Sequence, residues 1–202
     1  MRSIFNFVVK PVGSRKTNVK DVDGMELILS TDVQDHKYVN RVGTVIGVPE
    51  FACGGAKPGD EVIVHHNIFR RFYDVRGNEK NSSAYFRDDV YIVPPDQVYM
   101  YKRGDAEWKP LNGFCFVKPI RSLNKWTPAD EEPLMGILKF LDEELEEKGF
   151  KKGDLVGFTP RSEYEFIIGE ERMYRVMSGD ISILYEHTGN EKEYNPSWAQ
   201  GS

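Results

Sequence analysis

The sequence predicts an all-β protein of two tandem β-barrels, with one short helix in the second. Three observations carry this. Short runs rich in Val, Ile, Tyr and Phe recur along the 202 residues, most of them bounded by Gly, Pro or Asp. The two halves repeat the same motifs in the same order. One segment carries a helical stripe of apolar residues.

In the first half the strand-like runs are FNFVVKPV, GTVIGV, DEVIVHH, AYFRDDVYIV and QVYMYK; the second half offers FCFVKPI, GILKFL, DLVGF, YEFIIG, RMYRV and ISILYE. Strands this short and frequent suit small barrels or sandwiches. VVKPV (8–12) matches FVKPI (116–120), and GTVIGV (43–48) matches GILKF (136–140). KPGDEVIV (57–64) matches KKGDLVGF (151–158), and VYIVPPDQVYMY (90–101) matches YRVMSGDISILY (174–185). Two copies are too few for a solenoid, so consecutive barrels are the simplest reading. The polar connector KRGDAEWKPLNG (102–113) marks the boundary. The expected units are therefore 1–107 and 108–190, followed by a polar tail over 191–202.

EEPLMGILKFLDEELEEKG has apolar residues at 134, 137, 138, 141 and 145, which a helix would line up on one face. The repeat makes 136–141 a strand instead. The reading adopted is a strand to Leu141, then a short helix capped by Asp142 and stopped by Gly149.

A formal charge of −5, from 27 basic and 32 acidic residues, argues against a dedicated nucleic-acid binder. The two cysteines, Cys53 and Cys115, are far apart and lack metal-type spacing, which points to a reducing compartment without a disulfide framework. MRSIFNFVVKPVG has too short an apolar run for a signal peptide, and no stretch reaches the roughly 18–20 apolar residues of a membrane span. A cytoplasmic protein is expected. No G-x-G-x-x-G, G-x-S-x-G or Walker loop is present, so neither catalysis nor a cofactor is expected.

The motifs in order are Val9-Lys10-Pro11, then Gly24-Met25-Glu26-Leu27-Ile28-Leu29, then GTVIGV (43–48), KPGDEV (57–62) and residues 90–101. The second copy carries Gly153-Asp154-Leu155-Val156 and Ser178-Gly179-Asp180-Ile181. This succession resembles the GroES-like co-chaperonins, the ten-kilodalton chaperonin family. The resemblance covers most of the chain as two GroES-like copies, and tandem and roofless forms are similar to plastid and bacteriophage-encoded members. It implies a ring-shaped homo-oligomer that caps a GroEL-like chaperonin double ring and assists protein folding. It also implies a mobile loop over about 13–40 whose chaperonin-contacting residues are Leu27, Ile28 and Leu29. That would explain an apolar triplet inside an otherwise polar stretch; the competing reading is an ordinary strand inside the first barrel. Burying three such side chains is worth roughly 1.5–3 kcal/mol each. Ordering a loop costs on the order of 1–2 kcal/mol per residue, so several loops on one ring would have to bind together. Ring size stays open between seven chains and fewer chains using both barrels. A phage structural or assembly protein reusing the same barrels, without chaperonin binding, is the alternative.

The remaining constellations are weighed and set aside. His65-His66 are neighbours on a strand, where side chains point to opposite faces, so they are not expected to share a metal ion. FRRFYDVR (69–76) interleaves arginines with aromatics as some single-strand binders do, but the acidic total favours a protruding hairpin or a subunit interface. In the second copy the loop RSLNKWTPADEEPLM offers only Leu134-Met135 as an apolar pair, with core burial as the competing reading. EELEEK (143–148) reads as a solvated helix face, and Tyr194 and Trp198 are the tail's only aromatics.

Overall fold

The computed structural model describes residues 3–13, 19–22, 25–28, 40–51, 54–111, 113–123, 130–168 and 171–199. The chain divides into two compact units, Met1–Trp108 and Lys109–Ser202. Strands of the first are β1 (Phe7–Pro11), β2 (Val19–Val22), β3 (Met25–Ile28), β4 (Val42–Gly47), β5 (Glu61–Val64), β6 (Arg71–Tyr73), β7 (Glu79–Asn81), β8 (Tyr85–Arg87), β9 (Val90–Val93) and β10 (Val98–Lys102). The second has β11 (Lys109–Pro110), β12 (Phe114–Arg121), β13 (Glu131–Phe140), helix α1 (Glu143–Glu147), β14 (Leu155–Phe158), β15 (Tyr164–Ile168), β16 (Glu171–Met177) and β17 (Ile181–Tyr185). The protein is mostly β-sheet, with α1 as the one α-helix among the described residues.

Two large sheets follow one plan. The first runs β11-β10-β5-β4-β1-β9-β8 and the second β17-β14-β13-β12-β16-β15. Apart from the two-residue β11, each strand of one has its counterpart at the same place in the other.

The repeat extends to register. Val9, Lys10 and Pro11 face Val45, Thr44 and Gly43; Val117, Lys118 and Pro119 face Leu138, Ile137 and Gly136. Gly43 then faces Val62, as Gly136 faces Val156. The two glycines are required by close approach. A Cβ on Gly43 would lie 2.4 Å from Val9 Cγ1 and 2.9 Å from the Lys10 carbonyl oxygen; on Gly136 it would lie 2.6 Å from Val117 Cγ1 and 2.4 Å from the Lys118 carbonyl oxygen. Neither space admits another atom.

The K-x-G-D turns are also repeated bond for bond. Gly59 and Gly153 take φ of +95° and +98°, a region that glycine enters without a Cβ penalty. Gly59 N–H donates to the Val45 carbonyl and Gly153 N–H to the Leu138 carbonyl, each at 2.8 Å. Asp60 and Asp154 each accept from the backbone N–H three residues earlier, of Lys57 at 2.9 Å and of Lys151 at 2.7 Å.

The last pair of strands shifts the sequence alignment by one residue. Val9 faces Tyr91 and Val117 faces Tyr174, so Tyr91 corresponds to Tyr174 rather than to Arg175. The following 3₁₀ turns, Pro95–Gln97 and Ser178–Asp180, keep this offset. Hydrogen-bond register, and not letter matching, decides the equivalence.

Neither sheet closes into the expected barrel. Closure requires the terminal strands to pair, and among the described residues no pair joins β8 to β11 or β15 to β17. In the first sheet the terminal strands have three and two residues, too few backbone groups for a closing ladder.

The helix is where its caps predict. Asp142 Oδ1 accepts from Leu145 N–H at 3.1 Å, and its Oδ2 accepts from Gly113 N–H at 2.7 Å. At the other end Gly149 has φ +90°, its N–H donates to Glu146 O, and Phe150 N–H donates to Leu145 O. That is a Schellman termination. Leu145 is the residue the helix buries, against Cys115, Val117, Leu138, Val156, Phe158 and Val176. Upstream, β13 runs from Glu131 to Phe140, so residues 134, 137 and 138 of the stripe are strand and only Leu145 is helix. Leu134 and Met135 pack against core clusters of this unit.

Candidate partner-binding site

Leu27 and Ile28 lie on β3, which pairs with β2: Lys20 faces Leu27 and Val19 faces Ile28. This ribbon is a separate two-stranded sheet, and neither strand joins the seven-stranded sheet. Ordinary strand pairing inside the first large sheet is therefore not what the Leu27–Ile28 backbone does. Leu29 lies outside the described residues, as does most of the expected loop over 13–40.

A second separate two-stranded element is the β6–β7 hairpin. Arg71 faces Asn81, Phe72 faces Lys80 and Tyr73 faces Glu79, and all six are exposed. Asp74 builds the turn: its Oδ1 accepts from Arg76 N–H and Asn78 N–H, both at 2.9 Å, and Gly77 takes φ +78°. The Asn78 N–H, ahead of that of Arg76, holds the Asp74 carboxyl below its usual range. The hairpin itself was expected from the sequence, but its aromatics do not pack inward. Phe72 sits under the Arg70 guanidinium, 5.1 Å from ring centroid to Cζ, and Val75 at the tip is fully exposed.

His65 and His66 depart from the sequence expectation. β5 ends at Val64 and the chain enters a turn in which Ile68 N–H donates to His65 O, so strand alternation no longer applies. The two rings lie side by side, with centroids 4.3 Å apart. Among the described residues no group of three or more His, Cys, Asp or Glu could hold a metal ion. Cys115 is buried and its thiol pKa is pushed well up by that burial; Cys53 lies outside the described residues.

Sequence reasoning missed an apolar groove of about 310 Å³ on the first unit, lined by Ile4, Phe5, Val8, Phe86 and Ile92 with Ser3 and Asn6. Phe5 also stacks with Phe51, which is exposed. It missed, too, the charged lock of the second unit. Arg172, 11% exposed, donates to Glu165 Oε2 at 2.7 Å and to Glu131. Tyr174 O–H donates to Glu131 Oε1 at 2.5 Å. Burial opposes the Arg172 charge, but the Glu131 and Glu165 carboxylates outweigh it and raise the guanidinium pKa. Burial, then the Glu131 hydrogen bond, pushes the Tyr174 hydroxyl up. Residues 191–195, part of the polar tail, run along this lock: Tyr194 N–H donates to Pro119 O and Arg121 N–H to Lys192 O, each at 2.8 Å, and Asn195 Oδ1 accepts from Arg172 N–H.

Among the described residues no helix is long and apolar enough to cross a membrane. No protein-family model and no curated protein matches this chain.

Proposed function

We propose that this protein is a GroES-like co-chaperonin: a non-enzymatic, ring-forming lid that caps the folding chamber of an ATP-driven, GroEL-like chaperonin. The observation that carries the reading is the β2–β3 ribbon, which bears the backbone of Leu27 and Ile28 and pairs with neither large sheet. A partner-binding segment needs that independence, because a strand paired into a large sheet is held there by its backbone hydrogen bonds. The ordered motifs, present twice and in matching register, support the family assignment. Both units would be GroES-like in strand order while their sheets stay open. The chain would bind no nucleotide itself and would work in the cytoplasm.

Replacing Leu27, Ile28 and Leu29 together with Ser tests this. Each apolar side chain contributes roughly 1.5–3 kcal/mol when buried, and the loss is multiplied over the subunits of a ring. The variant is expected to keep its far-ultraviolet circular dichroism spectrum and its oligomeric state while losing binding to a chaperonin that the unmodified protein binds. Unchanged binding would remove the 27–29 assignment.

A further inference from the structure

Within the shared strand order, each unit inserts something the other lacks. After β5 the first unit builds the β6–β7 hairpin before reaching β8, whereas the second passes from β14 to β15 through residues 159–163 alone. Between β13 and β14 the second unit inserts α1, where the described residues of the first unit's 48–60 loop form no helix.

The two insertions are oppositely charged. Residues 70–81 hold Arg70, Arg71, Arg76 and Lys80 against Asp74 and Glu79. Both acids are engaged within the hairpin, Glu79 by Arg71 at 2.8 Å and Asp74 by Lys80 at 3.5 Å, so the excess is positive in a chain whose net charge is −5. Around α1, Glu144 pairs with Lys148 at 2.6 Å and Asp142 is occupied as the cap. Glu143, Glu146 and Glu147 remain exposed and have no ion pair among the described residues.

The hairpin strands are not spent on their own core, and α1 spends one side chain on it. All six strand residues of the hairpin are exposed, and α1 buries Leu145 alone. The hairpin offers Phe72, Tyr73 and three arginines, the residue types enriched at the centres of protein interfaces. Partly buried Leu141 and Phe150 flank α1 and give those aromatics an apolar counterpart.

We propose that the β6–β7 hairpin of one copy docks on the acidic α1 face of a second copy. Repeated head-to-tail, such contacts make rings where the rotation closes and filaments where it does not. Complementary charge sets the register and speeds encounter, while Phe72 and Tyr73 supply the buried area. The inference rests on the self-association in the function proposed above; it does not depend on which chaperonin is capped.

Charge-swapped full-length variants test it. Arg76→Glu/Lys80→Glu makes the hairpin acidic, and Glu143→Lys/Glu146→Lys/Glu147→Lys makes the helix face basic. By sedimentation velocity at matched concentrations, each variant alone is expected to self-associate about tenfold or more weakly than the unmodified protein. An equimolar mixture of the two is expected to recover association, because the acidic hairpin of one now meets the basic helix of the other. A salt titration of the unmodified protein needs no variant: association should weaken as the Debye length falls from about 10 Å at 0.1 M to about 3 Å at 1 M. Unmodified protein that associates while both variants associate equally well, or a mixture that fails to recover, overturns this contact and leaves the ring reading standing. Unmodified protein that stays monomeric at every concentration overturns both.

Discussion

Pro11 faces Gly43 and Pro119 faces Gly136, yet the lysines beside these prolines have opposite fates. Lys10 is exposed; Lys118 is 3% exposed and reaches Glu171 at 2.9 Å. The difference follows from what covers each central strand. In the second unit, β12 is buried from Phe114 to Ile120, with Phe116 against Phe140 and Phe166 and with Arg175 over the Phe114 and Tyr164 rings. In the first, the strand beyond β9 is the three-residue β8, and Ile4, Phe5, Phe86 and Ile92 stay partly in solvent. One sheet plan thus yields a central strand buried along nearly its whole length in the second unit and one whose far end is exposed in the first. The two small two-stranded sheets, the β2–β3 ribbon and the β6–β7 hairpin, both belong to the first unit.

The largest expected effect breaks what the units share. Gly43→Ala and Gly136→Ala should each destabilise their unit by about 3 kcal/mol, since the added methyl meets atoms well inside contact distance. Gly136→Ala should cost more. Its nearest obstacle is the Lys118 carbonyl oxygen at 2.4 Å, which is backbone; at Gly43 the nearest is a Val9 methyl, which can rotate. Denaturant unfolding of both variants checks the order.

A smaller effect sharpens where the units differ. Asp60 is buried and clamped by Arg103, with Nε donating to Oδ1 at 2.9 Å and Nη2 to Oδ2 at 2.8 Å. By the β5–β10 and β14–β17 registers, Glu186 follows Tyr185 where Arg103 follows Lys102, so Asp154 has no arginine there. Asp60→Ala should therefore cost more than Asp154→Ala, about 1–3 kcal/mol, because it removes the acceptor of both the Lys57 N–H and the Arg103 guanidinium. The Arg103 hydrogen bonds hold the Asp60 carboxyl below its ordinary 3.8. A depressed carboxylate stabilises the fold above its unfolded pKa, and the contribution disappears as pH falls through the lower folded value. Thermal melts between about pH 6 and pH 2 should then show a shallower acid decline for Asp60→Asn than for the unmodified protein. Smallest of all, Val75→Ser at the hairpin tip should change stability by less than about 0.5 kcal/mol, since the side chain touches no core.

Much of the sheet was legible because its signals are local. VVKP, GTVIG, EVIV and their repeats are apolar-rich runs with Gly, Pro or Asp in or beside them, and Asp142 and Gly149 mark the ends of α1 by capping chemistry alone. What escaped depends on partners distant in sequence. The one-residue offset between Tyr91 and Tyr174 is set by pairing with Val9 and Val117. The side-by-side histidine rings follow from β5 ending at Val64, before both of them. The Arg172 lock joins residues from β13, β15 and β16, and no short window of sequence contains all three. Open sheet edges, likewise, depend on pairing that does not form. Of the candidate site, the sequence offers the apolar triplet, while the separateness of its ribbon is a property of the fold.

Co-sedimentation of the unmodified protein with a purified chaperonin double ring, with and without ATP or ADP, tests the central claim most directly. The account predicts nucleotide-dependent binding of a defined oligomer at a fixed ratio to the cylinder. A folded, oligomeric protein that binds none of several chaperonins in any nucleotide state would contradict it.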